Sequence, residues 1–319
     1  MENQVLYDWV SITSKIDSPQ SLIQQLGLDG KGINWETIKG QHGYKDRLYW
    51  EKISIHYNGR EDMGVWLEMS GQGCRAFESF GTGDYEGLFR YCIDNPDEVH
   101  LTRLDVAFDD HSGVLDLDTL AGDTLRKEYI GKAHIAEVEH KIDDRLEHWA
   151  GLSIYHGSRS SNVLIRIYDK AAERGFLDRH WNRVELQLRD ERALAFVLRS
   201  EPIGEAFCGV LRNYLRYVYE PETGSDSNRS RWPMKSYWSN LLDNISPVQL
   251  YEKPGTEYNM MNLENFVFRQ AGGAIWTYLE THTIEQFLAE LKQQRPANLN
   301  PKYKNLIEQS KRSNNHEEQ

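Results

Sequence analysis

In the stretch NVLIRIYDK (162–170) one tyrosine sits between two cations. The two-residue period of a strand puts Arg166, Tyr168 and Lys170 on one face, and Val163, Ile165 and Ile167 on the other. Flanking cations favour the phenolate of Tyr168 and can bind a phosphate, and a phenolate can attack phosphorus to form a covalent intermediate. The same pattern also suits an ordinary strand tyrosine whose charged neighbours lay their stems along it. In WNRVELQLR (181–189), Arg183, Glu185, Gln187 and Arg189 share one face, and Val184, Leu186 and Leu188 share the other. Glu185 and Gln187 could present oxygens to one divalent ion, since Mg²⁺ and Mn²⁺ take carboxylate, carbonyl and water ligands. A charged strand facing solvent reads the same way.

LTRLDVAFDD (101–110) places Arg103, Asp105, Ala107 and Asp109 on one face, opposite Leu104, Val106 and Phe108. Asp105 and Asp109 would stand about 13 Å apart along a straight strand. Both can serve one ion only if the strand bends or Asp109 lies past its end. The plainer alternative is a strand-end aspartate pair capping a turn.

Other chemistries find no residues. None of the 11 histidines forms an HxH pair, HExxH is absent, and the three cysteines (Cys74, Cys92, Cys208) show no CxxC spacing. Histidine-rich zinc chemistry and a disulfide framework are therefore disfavoured, and a reducing, cytoplasmic setting is expected. No GxxxxGK[ST] loop or GxSxG elbow occurs, and GTGDYEG is not a dinucleotide fingerprint.

Positioning the carboxylates and the tyrosine requires strands. YDWVSIT (7–13) reads as one, and RLYWEKISIHYNG (47–59) and MGVWLEMSG (63–71) alternate apolar and polar residues. GQGCR (71–75) reads as a glycine-bearing turn, and GTGDYEGLFRYCIDN (81–95) as a turn into a helix. Helices are expected near 115–129, over the short AAERG segment (171–175), and over ERALAFVLRS (191–200). LSIYHGS (152–158) and NVLIRIYDK form a hairpin around Ser158–Ser161. PETGSDSNRSR (221–231) is rich in Gly, Ser and Asn and reads as a linker, with helical spacing beyond it. The expected class is α+β, with a largely antiparallel sheet and a helical C-terminal part. The expected division is 1–222 as the unit carrying the candidate chemistry, 232–290 as a helical recognition or self-association region, and 291–319 as a polar tail.

The chain has 319 residues, of which 39% are apolar and 27% charged, including 9 Trp, 17 Tyr and 10 Phe. That aromatic content excludes a disordered chain, and the longest apolar runs, such as AFCGVL (206–211), are too short for a bilayer span. No secretory signal is expected from the N-terminal residues. The net charge of −12 is uneven: Asp94 to Ala150 carries −9, whereas Arg159 to Arg199 carries +3. An acidic block beside an arginine-rich one suits a metal-dependent nucleic-acid enzyme, and also an acidic protein with a solvated face.

Four stretches, in this order, resemble the replication initiation factor family: MGVWLEMSGQGCR (63–75), LTRLDVAFDD, YHGSRSSNVLIRIYDKAAE (155–173) and WNRVELQLR. YDWVSIT also looks like the family's first strand. That family includes rolling-circle replication initiators of plasmids, relaxases of conjugative elements and replication proteins of filamentous phages. The resemblance runs from about residue 8 to 199, and the C-terminal third is similar only in general character.

The resemblance implies metal-dependent, sequence-specific nicking and closing of DNA through a 5′-phosphotyrosine. It places the nucleophile at Tyr168, assisted by Arg166 and Lys170. It implies Mg²⁺ or Mn²⁺ held by Asp105 and Glu185, with Asp109 a further candidate; Gln187 is added on its spacing alone. Arg159, Arg183, Arg189 and Trp181 are candidates for guiding single-stranded DNA by backbone contact and stacking. The expected partners are origin DNA, a second copy of the chain and a host helicase, with no membrane. Two other classes remain open on the residues: a non-catalytic sequence-specific DNA-binding protein, and a carboxylate–metal DNA hydrolase with no covalent intermediate.

Overall fold

The computed structural model describes residues 2–30, 33–143, 151–176, 179–220, 228–248, 267–268, 272–293 and 307. The first half runs β1 (Gln4–Ser14), α1 (Pro19–Gln25), β2 (Glu36–Lys39), β3 (Asp46–Trp50), β4 (Ile53–Tyr57), β5 (Val65–Ser70), α2 (Gly71–Phe80), α3 (Tyr85–Asp94), β6 (Val99–Asp110) and α4 (Leu117–Leu125). It continues with β7 (Tyr129–Gly131), β8 (Ala136–Lys141), β9 (Gly151–His156), β10 (Val163–Asp169), α5 (Lys170–Glu173), β11 (Asn182–Arg189), α6 (Glu191–Val197), α7 (Ile203–Tyr214), β12 (Leu215–Tyr217), α8 (Ser236–Ile245), α9 (Gly272–Thr281) and α10 (Ile284–Gln293). Ten strands form one antiparallel sheet in the order β2-β3-β4-β5-β1-β6-β11-β10-β9-β8, while β12 pairs with β7 apart from it. The α+β class with a largely antiparallel sheet is what the strand patterns predict.

Alternation decides which face of the sheet is covered. Ile53 and Ile55 of β4, Leu67 and Met69 of β5, Leu104, Val106 and Phe108 of β6, and Val184, Leu186 and Leu188 of β11 are all buried. They share one core with Cys74 and Phe77 of α2, Leu88 and Phe89 of α3, and Phe207 and Leu211 of α7. Each such side chain contributes about 1.5–3 kcal/mol by leaving water. The other face carries the polar set, so the sheet holds its helices on one side and its chemistry on the other. The cysteines are free and buried within the core. Among the described residues no helix is long and apolar enough to cross a membrane.

Two expectations change. GQGCR is not a turn but the first half of α2. Its glycines allow close approach: a Cβ on Gly71 would lie 2.6 Å from an Asp8 carboxylate oxygen, and one on Gly73 would lie 2.4 Å from the Lys52 carbonyl. The second change concerns the boundary drawn at 222–232. Residues 221–227 of the expected linker lie outside the described residues, but α8 beyond it belongs to the main core. Trp238, Leu241, Leu242 and Ile245 are buried there, and the Cys208 thiol of α7 donates to the Leu242 carbonyl. Lys235, just before α8, pairs with Asp123 of α4 at 2.6 Å and also with Glu128, and the Tyr237 hydroxyl donates to Asp123 at 2.6 Å. Residues 249–266, and nearly all of the tail from 294 onward, lie outside the described residues.

Candidate active site

The central strands β1 and β6 pair antiparallel, and their register slips between Tyr7 and Trp9. Asp8 is the extra residue of that β-bulge. A bulge breaks strict alternation, so Asp8 and Trp9 both line the cavity on the uncovered face. Tyr7 points the other way, onto Tyr85 and Phe89. On the neighbouring strands regular alternation sends Asp105 (β6), Glu185 (β11), and Arg166 and Tyr168 (β10) to the same cavity, of about 450 Å³. Lys170, Glu173 and Arg174 close one side of it.

Tyr168 lies at the base of this cavity and is only 1% exposed. Its hydroxyl donates to Glu185 Oε2 at 3.2 Å and accepts from Lys170 Nζ at 3.2 Å. Arg166 stacks over its ring, 3.7 Å from the centroid. Lys170 is the first residue of α5, not a strand residue, yet its ammonium still reaches the phenol. The expectation that the cations favour the phenolate does not hold in the free protein. Burial, followed by the Glu185 charge, drives the phenol far above its ordinary range and outweighs Arg183 and Arg166. Tyr168 is thus a protonated phenol with its proton directed at a carboxylate. Burial and the Arg183 charge lower Lys170, while its partner Glu173 works in the opposite direction.

The carboxylates form two groups. Asp8, Asp105 and Glu185 line the cavity and repel one another. Burial pushes Asp105 up to about 7, with Glu185 and Asp8 adding to the rise against the pull of Arg103. Burial, then Asp8, also raises Glu185. Arg103 grips both oxygens of Asp105, at 2.9 and 2.5 Å. Asp109 does not line this cavity. It is fully buried and takes both forks of Arg183, at 2.6 and 2.8 Å, together with the Gln4 amide at 3.0 Å. Gln187 pairs across the sheet with Asp105 but does not line the cavity.

Arg183 is corrected as a DNA contact. It is 3% exposed and bridges Asp109 to Asp8, whose Oδ2 lies 2.7 Å from its third nitrogen. Its role is to seat Asp8. Trp181 precedes β11 and stacks near Phe176 and His111, outside the cavity. Arg189 donates to the Arg159 carbonyl at the opposite end of β11, about 20 Å along the strand from Arg183. The structure therefore does not gather the four proposed DNA contacts into one path.

The donor set suits a hard divalent ion: the buried, raised Asp105 and Glu185 and the half-buried Asp8 share one cavity whose lining has no sulfur or imidazole. Among the described residues no three His, Cys, Asp or Glu side chains are already disposed to hold a metal ion. Arg103 supplies the counter-charge at Asp105 instead.

Comparison with known proteins places the chain in a family. Residues 99–293, more than half of the chain, match the model of the replication initiation factor family, and residues 4–88 match the N-terminal domain of rolling-circle replication initiation proteins. The chain belongs to the replication initiation factor family. Within that setting it is 25% identical over 269 residues to the putative DNA relaxase NicK of Bacillus subtilis, an alignment covering 79% of this chain and 74% of the relaxase. It is also similar to the structure of the rolling-circle replication initiator protein from Geobacillus stearothermophilus, at 30% identity and a TM-score of 0.71, covering 79% of this chain and 99% of that one. In this replication initiation factor, Asp8 is the site residue that sequence reasoning missed. The usable signal is Gly71: a glycine at a helix start next to a strand leaves room for an incoming side chain.

Proposed function

We propose that this protein nicks and reseals one strand of DNA through a phosphotyrosine at Tyr168, initiating rolling-circle replication or transfer of its element. The observation that carries the reading is the hydrogen-bonded line Lys170–Tyr168–Glu185 at the base of an acidic cavity. The Tyr168 oxygen attacks phosphorus while its proton passes to Glu185. The bond from phosphorus to the 3′ oxygen breaks, and that oxygen takes a proton from solvent water and leaves as a hydroxyl. The 5′-phosphate stays on Tyr168, so the bond energy is retained for resealing by a 3′-hydroxyl. Lys170 and Arg166 hold the charge that grows on the phosphoryl oxygens.

Asp8, Asp105 and Glu185 would hold Mg²⁺ or Mn²⁺, with Asp105 becoming available when Arg103 releases it. The ion would polarise the phosphate and stabilise its developing charge. The experiment is incubation of the protein with single-stranded and supercoiled DNA of its own element, followed by denaturing electrophoresis. A covalent adduct is expected, lost in Tyr168→Phe and blocked by EDTA. Adduct formation by Tyr168→Phe removes this tyrosine from the role. Cleavage without any adduct selects the hydrolytic reading.

A further inference from the structure

The uncovered face extends well beyond the active-site cavity, and it is not simply polar. Across β1, β5, β4 and β3 it presents aromatic rings paired with cations. Arg103 lies 4.1 Å over the Trp9 ring. Trp66 of β5 is fixed from two sides: its ring stacks on His56 of β4 at 4.4 Å and 21°, and its indole N–H donates to Ser11 of β1 at 2.5 Å. Tyr49 of β3 carries Arg47 at 5.5 Å and Lys52 at 6.0 Å from its ring centroid. Trp66, Tyr49, Arg47 and Trp9 all keep part of their surface in solvent. Of the carboxylates here, Asp105 is paired with Arg103, and burial moves Glu68 toward its neutral form.

This strip joins two cavities. Trp9, Arg103 and Lys52 line the cavity that holds Tyr168, and Arg47 lines a second one of about 680 Å³ with Lys39 and His42. Three strand spacings separate β1 from β3, or about 14 Å. The rigidly held Trp66 indole lies on this face between two cation–aromatic pairs, Arg103 on Trp9 and Arg47 on Tyr49. Bases stack on immobilised rings, and phosphates follow arginine and lysine. A duplex would present no unstacked bases to these rings.

We propose that the strip β1-β5-β4-β3 is a track for single-stranded DNA leading out of the Tyr168 cavity, with Trp66 as its central stacking platform. The occupant is argued from continuity with that cavity and from the cation–aromatic pairing. It rests on the nicking reading for the strand's destination, though not for its binding. The track supplies affinity without sequence reading, which suits a protein whose net charge of −12 disfavours general attachment to DNA.

The test uses full-length protein carrying Tyr168→Phe, so that binding is read without cleavage, and a fluorescent thymidine dodecamer as probe. Trp66→Ala and Tyr49→Ala are each expected to weaken binding about tenfold, with Trp66→Phe close to the unsubstituted protein. Arg47→Ala should lower the slope of log affinity against log salt by about 0.7. A 12-base-pair duplex should respond little to any of them. Circular dichroism melting separates misfolding from lost contact, and Tyr49→Ala and Arg47→Ala stand in if Trp66→Ala does not fold. Dodecamer affinity unchanged in the folded variants overturns the track. Absence of a covalent adduct in the unsubstituted protein overturns the nucleophile instead, and the two failures are distinguishable.

Discussion

At the scale of single residues, the site is a contest between burial and charge. Arg183 shows which wins where. It is held by the fully buried Asp109 on one edge and the half-buried Asp8 on another. Arg183→Ala would strand the fully buried Asp109 carboxylate, a loss of about 3–5 kcal/mol. The expected outcome is therefore a large fall in the urea midpoint, not a selective loss of DNA affinity. Asp8→Asn, by contrast, leaves Arg183 its bidentate partner and should fold. It should reduce nicking about a hundredfold and raise the Mg²⁺ concentration needed for half-maximal rate, because one of the carboxylates that would hold the ion is gone. Nicking at the original rate and metal demand would remove Asp8 from the site. Tyr168, Arg166, Asp105 and Glu185 were legible in the sequence because they obey the two-residue period. Asp8 was not, because it sits where that period is broken. Neither was the state of Tyr168, since spacing reveals neighbouring charges but not the depth at which they act.

At the scale of elements, β1, β6, β10 and β11 could be read from alternation alone, and their pairing brings the expected residues together. The short strands β2, β7, β8 and β12 have too few apolar positions to show a period. The region after 231 misleads for a different reason. A Gly/Ser/Asn-rich stretch marks a chain excursion, but it does not say whether the next helix returns to the same core. Here α8 returns, bringing Trp238 to full burial and Lys235 to the buried Asp123. Trp238→Ala should cost about 3–5 kcal/mol, read as a lowered midpoint in urea at pH 7. A chain ended at 222 should be insoluble, whereas one ended after 248 should retain the full main core. Soluble, cooperatively melting protein from the shorter chain would show that α8 is dispensable.

For the whole molecule, pH acts through imidazoles buried without charge. His156 is 2% exposed, and its Nε2 lies 3.0 Å from the Tyr217 hydroxyl. Burial pulls it down to about 4. An unfolded histidine binds its proton near 6.5, so the folded state binds it less readily. Stability is complete above that value and declines as pH falls toward 4. Between pH 7 and 4.5 the loss from this one group is about 2 kcal/mol. His156→Gln should flatten that part of the stability–pH curve in equilibrium denaturation. An unaltered curve would assign the acid sensitivity to other groups. Asp105 in the cavity takes up its proton at about 7, so falling pH reaches the chemistry before it weakens the scaffold.

The slip at Asp8 bears on how such a site can be gained or lost. Tyr7 pairs with Val106 and Trp9 with Asp105, so the strand would run unbroken if the residue between them were absent. A second slip, between Ser11 and Ile12, returns the two strands to their starting register. The acid is thus an insertion whose cost is confined to a few residues. A single codon deletion there would remove a carboxylate from the cavity and leave every other strand pairing intact. Among kindred chains, a gap aligned at this point is expected to mark proteins whose cavity lacks this carboxylate.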